Sequence, residues 1–134
     1  MKETLISFCI VNLNAKSHLV SCLKSISMFT KCGSFEIIIV DNNSNDGSIE
    51  FLRYQYPEVK LIINLRNDGY TKAINKALRL SKGKYKVVLN PDTELMPNAI
   101  DIMINHMKSS KNIGIIGPKV LNLSLIHISE PTRL

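Results

Sequence analysis

Short runs of apolar residues alternate along this chain with segments whose apolar positions recur at helical spacing. Residues 5–11 form the first run, rich in β-formers, and Asn12-Leu13-Asn14 closes it. From about Ser17, Leu19, Cys22, Leu23 and Ile26 fall on one helical face. Gly33-Ser34 then breaks the chain before a second strand at 36–40. Ser44, Asn45 or Asp46 offers a cap for a helix carrying Ile49, Leu52 and Arg53, which stops at Pro57. Residues 59–63 predict a third strand. Residues 69–80 predict a helix with Ala73, Ala77 and Leu80 on one stripe and Ile74 with Leu78 on the next. Lys82-Gly83 supplies a C-terminal glycine signal, and a strand at 84–89 follows. Pro97-Asn98 opens a helix with Ile100, Met103, Ile104 and Met107 on one face, and residues 113–116 predict a last strand before Gly117-Pro118.

The predicted order is β-α-β-α-β-α-β-α-β with short connections. It implies an α/β domain with a mostly parallel sheet and helices on both faces. The strands are near-continuous apolar runs, as a sheet covered on both faces requires. Composition agrees: 134 residues suit one domain, and 45% apolar with 21% charged residues exclude a disordered chain. The net charge of +6 favours anionic ligands, but no basic run occurs, so the charge reads mainly as a solvated surface and not as a nucleic-acid footprint. Cys9, Cys22 and Cys32 are odd in number and lack metal-type spacing, which predicts reduced core thiols. No apolar run approaches the roughly 18 residues of a membrane span, and no signal peptide precedes the first strand. A cytoplasmic protein is expected, with peripheral contact at the inner face of a membrane left open.

The chemistry gathers at strand ends. Open α/β sheets bind ligands outside the carboxyl ends of their strands. Here the second strand ends in Asp41-Asn42-Asn43-Ser44-Asn45-Asp46-Gly47 and the fourth in Asn90-Pro91-Asp92-Thr93-Glu94. Asp41, directly after four β-formers, is placed to accept hydrogen bonds from a heterocycle N–H or a ribose hydroxyl. Asp46 reads as a turn and cap residue. Asp92 offers one oxygen ligand to a hard divalent ion that bridges a diphosphate, although a Pro-Asp turn alone is a common local structure. Gly69, at a helix start, permits close backbone approach, and free N–H groups there suit a phosphate. Asn75 inside that helix has poor propensity and hints at a specific hydrogen bond. Neither G-x-x-x-x-G-K-[ST] nor G-x-G-x-x-G is present.

Taken together, Ile10-Val11-Asn12-Leu13-Asn14, the segment from Ile39-Val40-Asp41 to Gly47-Ser48, Asn67-Asp68-Gly69-Tyr70 through Asn75, Leu89-Asn90-Pro91-Asp92-Thr93 and Gly117-Pro118-Lys119-Val120-Leu121-Asn122 resemble the nucleotide-binding part of family 2 glycosyltransferases, of GT-A fold and rhamnosyltransferase-like. The resemblance implies a nucleoside-diphosphate sugar donor and inverting transfer to a saccharide or lipid-linked acceptor in polysaccharide assembly. It implies that Asp41 binds the base, with backbone around Asn12 and Leu13 beside it. It implies that Asp92 holds Mg²⁺ or Mn²⁺ as the last residue of a D-x-D-like motif whose first position is Asn90. Asn67, Gly69 and Asn75 would support the donor pocket. The general base of the family is expected in a second half of the domain, and no segment before Asn122 resembles it, so no catalytic residue is assigned and no turnover is expected.

Residues 123–134 resemble the translation of a sequencing adapter and are expected to be non-native. The domain would then be 1–122, with an uncovered sheet edge and poor solubility. Two other functions compete. A non-catalytic nucleotide-binding module explains both strand-end carboxylates. A nucleotidyltransferase shares a similar sheet but usually carries a glycine-rich basic signature where this chain reads Asn12-Leu13-Asn14-Ala15-Lys16.

Overall fold

The computed structural model describes residues 3–122. The elements are β1 (Ile6–Asn12), α1 (Lys16–Phe29), β2 (Phe35–Asp41), α2 (Ser48–Gln55), β3 (Lys60–Ile63), α3 (Tyr70–Leu80), β4 (Tyr85–Leu89) and α4 (Ala99–Ser109). The four strands form one parallel sheet in the order β3-β2-β1-β4. The register aligns Asn12 with Asp41 and Ile10 with Leu89, so the carboxyl ends of all four strands share one edge.

Strand periodicity then sorts the helices. Ile6, Phe8 and Ile10 of β1, with Ile37 and Ile39 of β2, face Leu19, Leu23 and Ile26 of α1, Leu52 of α2, and Ile100 and Ile104 of α4. The alternate residues Cys9, Val11, Ile38 and Val40 face Ala73, Ile74 and Ala77 of α3. Helices therefore cover both faces, as the apolar runs predict. Each fully buried Ile or Leu contributes about 2 kcal/mol by its transfer from water, and β1, buried along its whole length, is the spine of the core. All three cysteines are free, Cys9 and Cys22 buried and Cys32 half-buried. Burial pushes the Cys9 thiol up to about 11, which keeps it protonated and inert.

Three expectations from the sequence are corrected. Residues 113–116 form no strand; Ile115 is 94% exposed. A short apolar run becomes a strand only when a ladder partner satisfies its backbone, and residues 113–116 find none among the described residues. Coverage of β4 is one-sided: α3 lies over β1 and β2, leaving Lys86 and Val88 of β4 exposed. Gly83 is not a left-handed helix cap, since α3 ends at Ser81 in extended backbone and Gly83 has no positive φ. Its role is close approach to β1. The expectation for residues 123–134 lies outside the described residues.

Asp46 is structural, as its sequence context implies. Its carboxylate accepts hydrogen bonds from Lys16 N at 2.9 Å and from Ser48 N at 3.0 Å, and from the Ser48 hydroxyl, so it ties together the starts of α1 and α2. Burial alone would raise its pKa, but the bonds from Ser48 and Lys16 outweigh that and hold it below the ordinary 3.8. A depressed carboxylate pKa means that this stabilisation is present above the ordinary value and is lost as pH falls through the folded value. Asp46→Ala is expected to cost about 1 kcal/mol at neutral pH. Urea denaturation at a series of pH values should show the gap to the parent chain closing below pH 3.8; a gap that persists there contradicts this assignment.

Candidate functional site

The loops after β1, β2 and β4 meet at one end of the sheet. Neighbouring strands lie roughly 4.8 Å apart, so β2 and β4 flank the end of β1 at roughly 10 Å from each other. Asp41 and Asp92 are therefore brought to the same rim, one on each side of Asn12.

Asn12 and Asp41 are both 0% exposed. Asn12 Nδ2 donates to Asp41 Oδ2 at 2.8 Å and to Ser44 Oγ at 3.2 Å. The Ser44 hydroxyl donates to the same Asp41 oxygen at 2.8 Å, and its amide donates to Oδ1 at 2.7 Å. This cradle forms because Asp41 is followed by a turn whose Asn43 takes φ +70°, which brings the Ser44 amide back onto the carboxylate. Across the gap, the Asn14 amide donates to Ser44 Oγ, and Asn14 Oδ1 accepts the Asn45 amide. Asn12 Oδ1 is buried and has no partner among the described residues. A buried acceptor left open is a cost of about 1–3 kcal/mol, and it marks the place where an incoming N–H has most to offer. Leu13, beside it, is 44% exposed.

On the opposite face of the sheet a second polar chain begins at the next residue. Asn42 Nδ2 donates to Gly69 O at 3.3 Å, Asn64 Nδ2 donates to Asn42 Oδ1 at 2.8 Å, and Lys76 Nζ donates to Asn64 Oδ1 at 2.9 Å. It ties the ends of β2 and β3 to the start of α3. Gly69 adopts φ +82° and ψ 165°, a backbone region essentially reserved for glycine, and a Cβ there would meet nothing within 4 Å. Asn67 Oδ1 accepts the Gly69 amide at 2.9 Å, shaping that turn. Asn75 is exposed and its side chain makes no hydrogen bond among the described residues, so the specific bond its poor helix propensity hints at is not formed.

Asp92 is exposed in the loop after β4. It lies close to α1: burial first, then the charges of Asp92 and Glu94, push the Cys22 thiol up to about 12. Among the described residues no group of three or more His, Cys, Asp or Glu is placed to hold a metal. Asp92 is an exposed carboxylate, of the kind that water molecules and substrate phosphates can join around a hard divalent ion. When bound, such an ion neutralises charge on a diphosphate.

Sequence reasoning missed Ser44 as a member of the Asp41 cradle, and missed Asn64 and Lys76. The Asp-x-x-Ser spacing was the available signal for Ser44. Asn64 follows β3 as Asp41 ends β2, so it too carries a strand-end signal.

A parallel sheet with helices on both faces and polar groups gathered at its carboxyl edge is an open α/β domain, the architecture whose ligand sites lie at that edge. Residues 7–122 match the profile of glycosyl transferase family 2, and the chain belongs to that family. It is 27% identical over 114 residues to N-acetylglucosaminyl-diphospho-decaprenol L-rhamnosyltransferase of Mycobacterium tuberculosis, covering 77% of this chain and 37% of that protein. The fold is that of a mannosyltransferase from Pyrobaculum calidifontis in complex with GDP-Man and Mn²⁺, with TM-score 0.75, 18% identity, and coverage of 85% of this chain and 35% of the other. S. aureus TarS in complex with UDP-GlcNAc gives TM-score 0.69 at 16% identity, over 91% of this chain and 42% of the other. The chain spans less than half the length of the curated relatives it matches. No helix among the described residues is long and apolar enough to cross a membrane.

Proposed function

We propose that this chain is the donor-binding part of an inverting glycosyltransferase that moves a sugar from a nucleoside-diphosphate donor to a hydroxyl of a saccharide or lipid-linked acceptor in polysaccharide assembly. The observation that carries the reading is the buried Asn12–Asp41–Ser44 cradle with its open Asn12 acceptor, set beside an exposed Asp92 at the same rim. In this reading Asp41 accepts a base N–H through Oδ1, which holds one hydrogen bond and has a lone pair to spare. Because Asp41 is fully buried, the 42–45 turn must give way as the base enters. Backbone at Asn12 and Leu13 borders the base, Asn67 and Gly69 shape the α3 end of the pocket, and Asp92 is the protein's ligand to Mg²⁺ or Mn²⁺. The complexes of related folds with UDP-GlcNAc, and with GDP-Man and Mn²⁺, support both donor class and ion. In this reading residues 1–122 are the family domain and 123–134 a non-native tail. The protein works on the cytoplasmic side, where nucleotide sugars are made, with peripheral contact at the membrane for lipid-linked acceptors.

Calorimetric titration of UDP into the chain with and without Mn²⁺ tests this assignment. Loss of a metal-bound residue's outer-shell partners alone changes metal affinity roughly 10–100-fold, so loss of the ligand itself should do at least as much. Mn²⁺ is expected to tighten UDP binding to the parent chain roughly tenfold or more, and to leave Asp92→Asn unchanged. An equal Mn²⁺ effect in both proteins removes Asp92 from the metal site. The 134-residue chain alone is expected to bind donor without transferring sugar.

A further inference from the structure

A cavity of about 280 Å³ opens between α3 and the end of β3, lined by Asn64, Asp68, Lys72, Asn75, Lys76 and Arg79. It lies on the α3 face of the sheet, where Asn42 and Asn64 point, whereas Asp41 and Asn12 point to the face covered by α1 and α2. Three cations line it against one carboxylate, and that carboxylate is already engaged: Asp68 pairs with Arg66 Nε at 3.0 Å, the one ion pair among the described residues.

Arg79, in the last turn of α3, suits the helix dipole, but the row of cations as a whole is self-repelling. Lys72, Lys76 and Arg79 stand at i, i+4 and i+7 on the same side of α3, where like charges repel. Lys72 sits in the first turn, at the positive end of the helix dipole, and α3 carries no acidic residue to offset it. Asn64, 5% exposed, forms a fixed polar wall that holds Lys76 Nζ at 2.9 Å. Lys76 has that one internal partner, and Lys72 and Arg79 have none among the described residues, so the charge they bring is left for a ligand to offset.

We propose that this cavity binds a phosphate group, independently of the nucleotide at the Asp41 rim. Lys72 and Arg79 supply the charge, the Asn64-anchored Lys76 fixes the position, and Asn75 contributes an amide N–H. This places Asn75 in a second anion site instead of at the donor. Two sources carry such a group, a soluble phosphorylated compound and an anionic lipid headgroup. Leu65, 96% exposed next to Asn64 in the chain, gives a lipid surface an apolar contact at the rim.

Inorganic pyrophosphate is titrated into the isotopically labelled 134-residue chain while backbone amides are followed by NMR. Saturable shifts at residues 64, 72, 75, 76 and 79 are expected, at least tenfold weaker in the doubly substituted Lys72→Gln, Arg79→Gln chain. Both side chains are exposed, so the variant should fold, and Asn75→Asp, which adds a carboxylate to the lining, should weaken binding as well. Co-sedimentation with phosphatidylglycerol vesicles, absent with phosphatidylcholine, assigns the site to a headgroup; pyrophosphate shifts without vesicle binding assign it to a soluble ligand. Pyrophosphate shifts confined to residues 12–14, 41–44 and 92–94, or shifts at α3 that neither variant weakens, overturn the proposal while leaving the donor reading intact. Asp41→Asn, which keeps the volume of the rim while altering its charge, should leave the α3 response unchanged; loss of that response in this variant overturns the independence of the two sites.

Discussion

Asp41→Ala is expected to lower the unfolding free energy by about 3 kcal/mol and to abolish nucleotide binding. The carboxylate is the common acceptor for Asn12 Nδ2, the Ser44 amide and the Ser44 hydroxyl, with Asp41 and Asn12 closed to solvent and Ser44 half-buried. Truncation removes three hydrogen bonds at once; a buried group left unsatisfied costs about 1–3 kcal/mol, less what the half-buried Ser44 recovers from solvent and Asn12 Nδ2 keeps through Ser44 Oγ. Asp41→Asn separates shape from charge: it keeps the volume but presents an amide that can accept at only one atom, so it should fall between parent and Ala. Urea midpoints with an unchanged slope are the readout. A loss under 0.5 kcal/mol for Asp41→Ala would mean that the cradle contributes little and that the turn is held elsewhere.

Gly83→Ala is expected to be as damaging for a different reason. A Cβ at Gly83 would lie 2.5 Å from Ser7 N, 2.6 Å from Ser7 Oγ and 2.7 Å from Ile6 C, all on the central strand. Those atoms cannot retreat, because Ser7 lies in the β1–β2 and β1–β4 ladders. The Gly83 amide also donates to Ser7 Oγ at 2.7 Å, and that hydroxyl donates to Glu36 Oε1 at 2.5 Å. Overpacking costs roughly 1–3 kcal/mol where neighbours can shift, and more where they cannot, so about 3 kcal/mol is the expected loss. Gly69→Ala is the control: its Cβ meets nothing, and only the φ of +82° is strained. Thermal melts should rank Gly83→Ala below Gly69→Ala; the reverse order contradicts the close-approach account.

The two glycines show what a sequence carries and what it does not. Gly83 follows a helix, and its position alone suggests a cap; only the packing of β4 against β1 shows that it is needed for space. The βα alternation was legible because each buried strand must be apolar whatever its partner, and β1, α1, β2 and α3 fall within a residue or two of their pattern. Residues 113–116 share that apolar signature but find no ladder in the described structure, since pairing is a tertiary fact that a run of four residues does not encode. At the site, strand ends located Asp41 and Asp92 because the sheet is parallel and the chain must turn there. The face each side chain takes was less visible. Asn75 lies on the helix side that lines the cationic cavity, and the Asn42–Asn64–Lys76 chain joins residues far apart in sequence.

The measurement that bears most directly on the account is an amide NMR titration of the chain with UDP in the presence of Mg²⁺. Saturable shifts at residues 12–14, 41–44 and 92–94, lost in Asp41→Asn, are what a donor site at this rim predicts. Absence of any shift at those three segments while the chain stays folded, at millimolar UDP, would contradict it.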